Sequence, residues 1–214
     1  MVRFTLFGIP VEIQPWFWIT LAILGAPRGG DGATQEGILV MFLFVLAGFI
    51  SILVHELGHA LTGRKFGAQT AITLHAFGGY AIFPAARFSR WQDFLVTAAG
   101  PAVQIVLGVI FFFIYMKTRG TISPFAAHFL GDLAGISIFW AVLNLIPVIP
   151  LDGGRLLVSI LGPSRIELSL KVSMGVAIAG AVALFASGKG PFFALFLALF
   201  AFQNWQELNH RRRS

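Results

Sequence analysis

The sequence predicts an α-helical polytopic membrane protein with about six transmembrane helices, a small β-like re-entrant element and an N-terminal hairpin. Hydrophobic residues make up 57% of the 214 positions and charged residues only 11%, whereas charged residues are about 25% of an average soluble domain. Several apolar stretches reach the roughly 20 residues that a helix needs to cross a hydrocarbon layer. One core could not bury so much apolar surface, so lipid must solvate much of it.

Six apolar segments are predicted to be spans of a single integral-membrane domain, residues 1–214. The first is short, which indicates a thin or tilted span. A loop is predicted at 27–36, a capping box of Ser89 and Gln92 opens the third span, and Pro101 is expected to kink it. No removable signal peptide is expected. The core spans are 38–63, 90–116 and 125–150, and the additional spans are 15–26, 168–188 and 190–207.

Two segments lack a helical period and favour β structure. Residues 3–14 place two short β-like runs around Gly8-Ile9-Pro10, which predicts a small hairpin or extended segment at the membrane surface. Residues 67–88 mix Gly, Thr, Phe and Tyr around Gly78-Gly79, which favours a β-type or re-entrant excursion. Such backbone is tolerated at membrane depth only where protein or a water-filled cavity satisfies its polar groups.

The basic residues predict the orientation of the chain rather than a nucleic-acid partner. The net charge is +6, but no basic stripe interleaves with exposed aromatic residues, so nucleic-acid binding is not expected. Six spans place both termini on one side, and the excess of basic residues makes that side cytoplasmic. We therefore expect an integral protein of a prokaryotic cell (inner) membrane, with both termini and the active site toward the cytoplasm. Eleven of the 15 basic residues lie on that side: Arg3, Arg64, Lys65, Arg87, Arg90, Arg155, Arg165, Lys171, Arg211, Arg212 and Arg213.

A metal-binding pattern lies on the second predicted span. The chain has no cysteine, so any metal must be held by His, Asp or Glu. His55 and His59 project from one helix face, and two neutral imidazoles suit Zn²⁺. Glu56 lies beside them, placed to take a proton from a metal-bound water. Three ionisable groups in one turn of a span cost several kcal/mol unless something pairs them, which favours a metal site over three satisfied polar core residues.

The third metal ligand is expected to be Asp152. A catalytic zinc usually takes three protein ligands and leaves the fourth position to water. Most of the nine acidic residues lie in predicted loops or at span ends. The prolines before Asp152 break the helix and the glycines after it permit tight backbone, so the carboxylate would enter the interior from irregular backbone. A helix-capping aspartate before the fifth span is the alternative. These flanking residues are Pro147, Pro150, Gly153 and Gly154.

Three motifs together resemble the site-2 protease family of intramembrane zinc metalloproteases. They are His55–His59 on an apolar helix, Ala99-Gly100-Pro101 on the third span, and the stretch from Asn144 to Arg155 that contains Leu-Asp-Gly-Gly. The resemblance covers about residues 4–165. One departure is Gln104, which stands where Asn is common after the Gly-Pro pair; it keeps the amide but lengthens the side chain.

The resemblance implies a zinc metalloendopeptidase with one Zn²⁺ per chain. It would hydrolyse a peptide bond in or near the transmembrane segment of a single-span membrane-protein substrate, within the lipid bilayer. His55, His59 and Asp152 would be the zinc ligands. Glu56 would activate the zinc-bound water as general base and afterwards protonate the leaving amine.

The resemblance also implies roles in substrate binding. Asn144 would help to hold the substrate strand or the developing oxyanion. The region of Gly78 and Gly79 would form the re-entrant loop and engage an unwound substrate segment by strand addition.

A non-proteolytic membrane protein is the competing interpretation: a scaffold or subunit (a pseudoprotease) that retains the metal site, or a metal transporter. The intact Glu56 weighs against the scaffold, and the lack of internal repeats weighs against the transporter.

The remaining polar residues are expected to have structural roles. His75 is expected to make a loop hydrogen bond, and His128 with Asp132, which share a helix face, favour an interfacial pair over a second metal site.

Overall fold

A computed structural model of the chain describes residues 1–26, 34–188 and 191–213, and in this part the fold is mostly helical with one small sheet. A short 3-10 turn spans Pro163–Arg165. The strands are β1 (Val2–Leu6), β2 (Ile9–Ile13), β3 (Ala71–His75) and β4 (Gly78–Ile82). The helices are α1 (Pro15–Gly25), α2 (Gln35–Lys65), α3 (Arg90–Thr118), α4 (Pro124–Asn144), α5 (Asp152–Leu161), α6 (Ile166–Ala186) and α7 (Pro191–Arg213).

Both β-type segments join one four-stranded sheet in the order β1-β2-β3-β4. The N-terminal hairpin is confirmed: β1 pairs antiparallel with β2. Its turn consists of Phe7 and Gly8, both at positive φ, as a two-residue hairpin turn of type I′ requires. The 67–88 segment contains the antiparallel β3–β4 hairpin. The parallel pairing of β2 with β3 does not follow from the sequence pattern, and it leaves β4 as an edge strand.

Four stretches in the described part of the chain are long and apolar enough to cross a membrane. Helix α1 has 11 residues, or about 16 Å at 1.5 Å per residue, and is shorter than a hydrocarbon core of about 30 Å. The number six therefore stays a prediction. Most of the predicted 27–36 loop, at 27–33, and Lys189 lie outside the described residues. The four stretches are Gln35–Lys65, Arg90–Thr118, Pro124–Asn144 and Pro163–Ala186.

Two compact units account for the chain: Met1–Phe88 with Ala98–Val142, and Ser89–Thr97 with Leu143–Ser214. In the first unit, alternate residues of β2 are buried, as expected for a strand with one face on a core. That face packs with residues of α1, α2 and β3 in one apolar cluster. The cluster consists of Ile9, Val11, Ile13, Phe17, Leu21, Ile52, Leu53, Leu57, Ala60, Ile72 and Leu74.

In the second unit, hydrogen bonds secure the start of α3. The predicted capping box is confirmed: the Ser89 amide donates to Gln92 Oε1 at 2.9 Å, and the Gln92 amide donates to Ser89 Oγ at 3.3 Å. Arg90 donates to the carbonyls of Ser159 and Ile160 near the end of α5. The first turn of α3 is thus tied to the helix that begins at Asp152.

The segment before Asp152 is held by its neighbours in the second unit. The Ile149 amide donates to Ser173 Oγ at 2.7 Å, and Asn204 Nδ2 donates to the Ile149 carbonyl at 2.7 Å. Helix α4 ends at Asn144, before the two prolines. The sequence pattern predicts irregular backbone around Asp152, but Asp152 is the first residue of α5.

Candidate metal centre

The motif on α2 is buried and presents two imidazoles to one side. The Nε2 atoms of His55 and His59 lie 3.1 Å apart, and the two rings are 4.7 Å apart at an interplanar angle of 82°. His55 and Glu56 are 4% exposed and His59 is 8% exposed. A helix brings residues four positions apart onto one face, so this half of the site follows directly from the spacing.

Asp152 completes a group of donors that could bind a metal ion. One ligand atom from each of His55, His59 and Asp152 lies within 4.8 Å of the others, and Asp152 is 7% exposed. Two imidazole nitrogens and a carboxylate oxygen suit zinc. The 3.1 Å between the two Nε2 atoms is close to the roughly 3.3 Å that separates two nitrogens bound to one tetrahedral zinc. The donor types and their spacing therefore fit the predicted metal.

Two glycines make room for this site. A Cβ on Gly100 would lie 2.3 Å from His59 Nε2, and a Cβ on Gly58 would lie 2.7 Å from the Ala99 carbonyl oxygen. Both distances are far below van der Waals contact, so any side chain there would push the helices or the ring apart. Gly58, within the motif, and Gly100, in the Ala-Gly-Pro motif, thus allow α2 and α3 to approach closely beside His59.

Glu56 lies against the β3–β4 hairpin. A Cβ on Gly79 would lie 2.8 Å from Glu56 Oε1 and 2.6 Å from Glu56 Cγ. The predicted substrate-binding residue Gly79 is therefore a direct neighbour of the predicted base. Gly78 has φ +128°, and a Cβ there would meet Trp140 at 3.7 Å. A strand without side chains at this point lets the carboxylate approach the backbone.

Gln104 is a functional candidate to which the sequence alone assigns no role. Gln104 is fully buried, and its Oε1 lies 2.8 Å from His55 Nδ1. Its Nε2 donates to Ser51 Oγ at 2.9 Å and to the Ser51 carbonyl at 3.3 Å, and Ser137 Oγ donates to Ser51 Oγ at 2.9 Å. The sequence offers one signal for this hydrogen-bond network. Ser51 is a polar residue one turn before His55, and residues four apart share a helix face.

The remaining predicted polar residues lie in separate places. Asn144 is the half-buried last residue of α4. The loop hydrogen bond of His75 is confirmed, since the Phe77 amide donates to its Nδ1 at 3.4 Å; partial burial lowers the pKa of this imidazole. His128 and a buried Asp132 both line a cavity of about 830 Å³ between the end of α3 and the start of α4.

The apolar helices and the buried donors together define an integral membrane protein with a site that could bind a metal ion. The model of peptidase family M50 matches residues 41–126 and 116–187. The chain therefore belongs to peptidase family M50, which is the family of the site-2 proteases that its motifs resemble.

Solved and curated relatives agree with this family. The structure of the site-2 protease from Methanocaldococcus jannaschii superposes with a TM-score of 0.65 at 25% identity, covering 97% of this chain and 94% of that one. A Synechocystis protein that is named provisionally as a zinc metalloprotease is 35% identical over 166 residues, 73% of this chain and 42% of the relative. A zinc metalloprotease of Methanocaldococcus jannaschii is 28% identical over 159 residues, 74% of this chain and 44% of the relative. The chain thus spans under half the length of these two curated relatives.

Proposed function

We propose that the chain is an intramembrane zinc metalloprotease that hydrolyses a peptide bond in or near the transmembrane segment of a single-span membrane protein. The observation that carries the proposal is the buried group of His55, His59 and Asp152, with Glu56 next to His55 and against Gly79. Their assignment as three zinc ligands and one general base belongs to the proposal. Both curated relatives are named as zinc metalloproteases, the Synechocystis protein provisionally, and these names support the same chemistry.

The proposed chemistry needs a base beside the metal ligands. Zinc, when bound, would polarise the scissile carbonyl and lower the pKa of the attacking water. Glu56 takes the proton of that water and afterwards delivers it to the leaving amine. Because Glu56 is buried and packs against Gly79, its carboxylate has a restricted position from which to do both.

The sheet supplies a place for the substrate. A helical substrate hides its carbonyls in i to i+4 hydrogen bonds, so a segment must unwind before attack. Strand β4 is at the edge of the sheet, and an edge strand offers unpaired backbone groups to an added strand. Since Gly79 of this strand lies against Glu56, a segment added there would run beside the base. Asn144 holds the substrate strand or the oxyanion in this proposal, and the β3–β4 hairpin is its re-entrant element.

The proposed topology has six spans in one domain, with both termini and the site toward the cytoplasm of a prokaryotic cell. The distribution of basic residues supports it, because 11 of the 15 lie on the side of the predicted termini. Helices α1 and α7 would supply the spans beyond the four long apolar stretches.

The test is the substitution Glu56→Gln, assayed by cleavage of a co-expressed single-span membrane protein. The variant should stay folded and bind zinc, while cleavage falls by about 10²–10⁴-fold, the usual contribution of a general base. Glu36→Gln is the matched control, because Glu36 is an exposed glutamate in the first turn of the same helix. Unchanged cleavage in Glu56→Gln would refute the role of Glu56 as general base and with it the proposed proteolytic mechanism.

A further inference from the structure

Gln104 is an uncharged polar side chain in a fully buried position on α3. Its amide contacts His55 on one side and Ser51 on the other, and both of these residues belong to α2. Polar groups in protein interiors are generally hydrogen-bonded, and both the oxygen and the nitrogen of this amide have a partner. The partner at the oxygen end is one of the proposed zinc ligands.

The hydrogen bonds with Ser51 determine the orientation of the amide. The Ser51 backbone carbonyl can only accept a hydrogen bond, so the group facing it at 3.3 Å must be the NH2 of Gln104. The same NH2 donates to Ser51 Oγ at 2.9 Å. The oxygen of the amide therefore faces His55. The opposite amide orientation would place two acceptors against each other.

The orientation of the amide determines the protonation of His55. Gln104 Oε1 is an acceptor only, so the His55 Nδ1 that lies 2.8 Å away must carry the proton. A neutral imidazole has one protonated nitrogen, and the other offers its lone pair. His55 Nε2 is then the bare nitrogen, and this atom lies 3.1 Å from His59 Nε2 on the ligand side of the ring.

The network has a second anchor on α4. Ser137 Oγ donates to Ser51 Oγ at 2.9 Å, and both serines are fully buried. Ser51 lies one turn before His55 on the same face of α2. Helices α2, α3 and α4 thus hold Gln104 in place through one chain of hydrogen bonds that ends at His55 Nδ1.

We propose that Gln104 is a positioning residue that sets the Nδ1–H tautomer of His55 and so presents Nε2 to the metal. The inference rests on the proposed function for the assignment of His55 as a ligand. A metal-ligating histidine commonly donates its other N–H to an acceptor, and loss of that acceptor typically costs 10–100-fold in metal affinity. Here a glutamine amide from a neighbouring helix is the acceptor.

The direct test is the tautomer of His55 in the zinc-free, full-length protein. Two-bond 15N–1H correlations of 15N-histidine-labelled protein in detergent, recorded at a pH where imidazoles are neutral, distinguish the two tautomers. The chain has five histidines, and the His55 signals are those lost in His55→Gln. The proposal expects the Nδ1–H form in the wild type. Detection of the Nε2–H form there would overturn the proposal.

The second test is zinc affinity, measured by competition with a chelator. Gln104→Met keeps the length and removes the hydrogen bonds to His55 and to Ser51, and it should raise the zinc Kd about 10–100-fold and allow both His55 tautomers. Gln104→Glu keeps a carboxyl oxygen as acceptor toward Nδ1 and should restore most of the affinity. Zinc affinity and tautomer in Gln104→Met equal to those of the wild type would contradict the proposal.

Serine variants provide graded controls. Ser51→Ala leaves the backbone carbonyl that orients the amide, so its effect on zinc affinity should be smaller than that of Gln104→Met, and Ser137→Ala, one bond further away, should have less effect still. An equal loss in all three variants would indicate general unfolding of the helix contacts and contradict the positioning role. These measurements need no substrate. Unchanged cleavage in Glu56→Gln, which would refute the proposed function, and a failure of the tautomer prediction are therefore separate results.

Discussion

The close approach of α3 to His59 makes Gly100→Ala an informative perturbation. The added methyl carbon would lie 2.3 Å from His59 Nε2, 2.4 Å from Cε1 and 2.8 Å from Cδ2. Non-bonded heavy atoms rest at about 3.5–4.0 Å, so the ring or the helix must shift by about 1 Å. The methyl group also occupies the space beside the nitrogen that is proposed to bind zinc.

The expected energies separate a packing effect from a metal effect. Alanine in a helix is favoured over glycine by about 1 kcal/mol, and overpacking costs about 1–3 kcal/mol. The free energy of unfolding without zinc should therefore change by no more than about 2 kcal/mol. A metal ligand must lie within about 0.2 Å of its ordinary distance. A displacement of about 1 Å should thus raise the zinc Kd by more than about 100-fold, beyond the loss typical of an outer-shell partner.

The assay is zinc content and chelator competition on purified protein, beside thermal unfolding with and without zinc. Gly135→Ala is the matched control, because a Cβ added to this glycine of α4 would meet no described atom within 4 Å; it should be neutral or slightly stabilising. Zinc affinity of Gly100→Ala equal to that of Gly135→Ala would refute the account of how the two helices frame His59.

Two further substitutions test other parts of the structure. Gly79→Ala places a methyl 2.8 Å from Glu56 Oε1. It should lower cleavage by at least about 10²-fold, as loss of the base would, while zinc content stays at one per chain. Normal cleavage would contradict the proposed contact between the base and β4. Asn204→Ala removes the donor to the Ile149 carbonyl and should lower the free energy of unfolding by about 1–3 kcal/mol. The measurement is thermal denaturation beside the exposed control Gln203→Ala. An equal effect of the two substitutions would mean that the Ile149 hydrogen bond does not stabilise the segment before Asp152.

Local rules explain which features were predictable. The shared face of His55 and His59 follows from the helical period, and the capping box at Ser89 involves residues three apart. The N-terminal hairpin likewise depends on a two-residue turn. The donor types in a chain without cysteine also limited the choice of metal. These predictions needed no knowledge of which segments lie beside each other.

Other features could not be predicted from the chain alone. The helix α5 has no clear sequence signal because Gly153 and Gly154 are poor helix formers, and only their close backbone contacts explain them: a Cβ on Gly153 would lie 2.2 Å from the Leu145 carbonyl oxygen. The joining of the two hairpins into one sheet requires a parallel pair between β2 and β3, which are separated by two helices. The roles of Asn144 and the count of six spans stay predictions.

By itself, the sequence determined that the chain is a membrane protein with two imidazoles and a carboxylate on one helix, because composition and helical period are properties of neighbouring residues. Only the tertiary structure decided that Gln104 reaches His55, that Gly100 leaves space for His59 and that Gly79 lies against Glu56. Each of these contacts joins segments that are distant in the chain. Their geometry depends on how closely the helices and strands pack, and no local pattern specifies that distance.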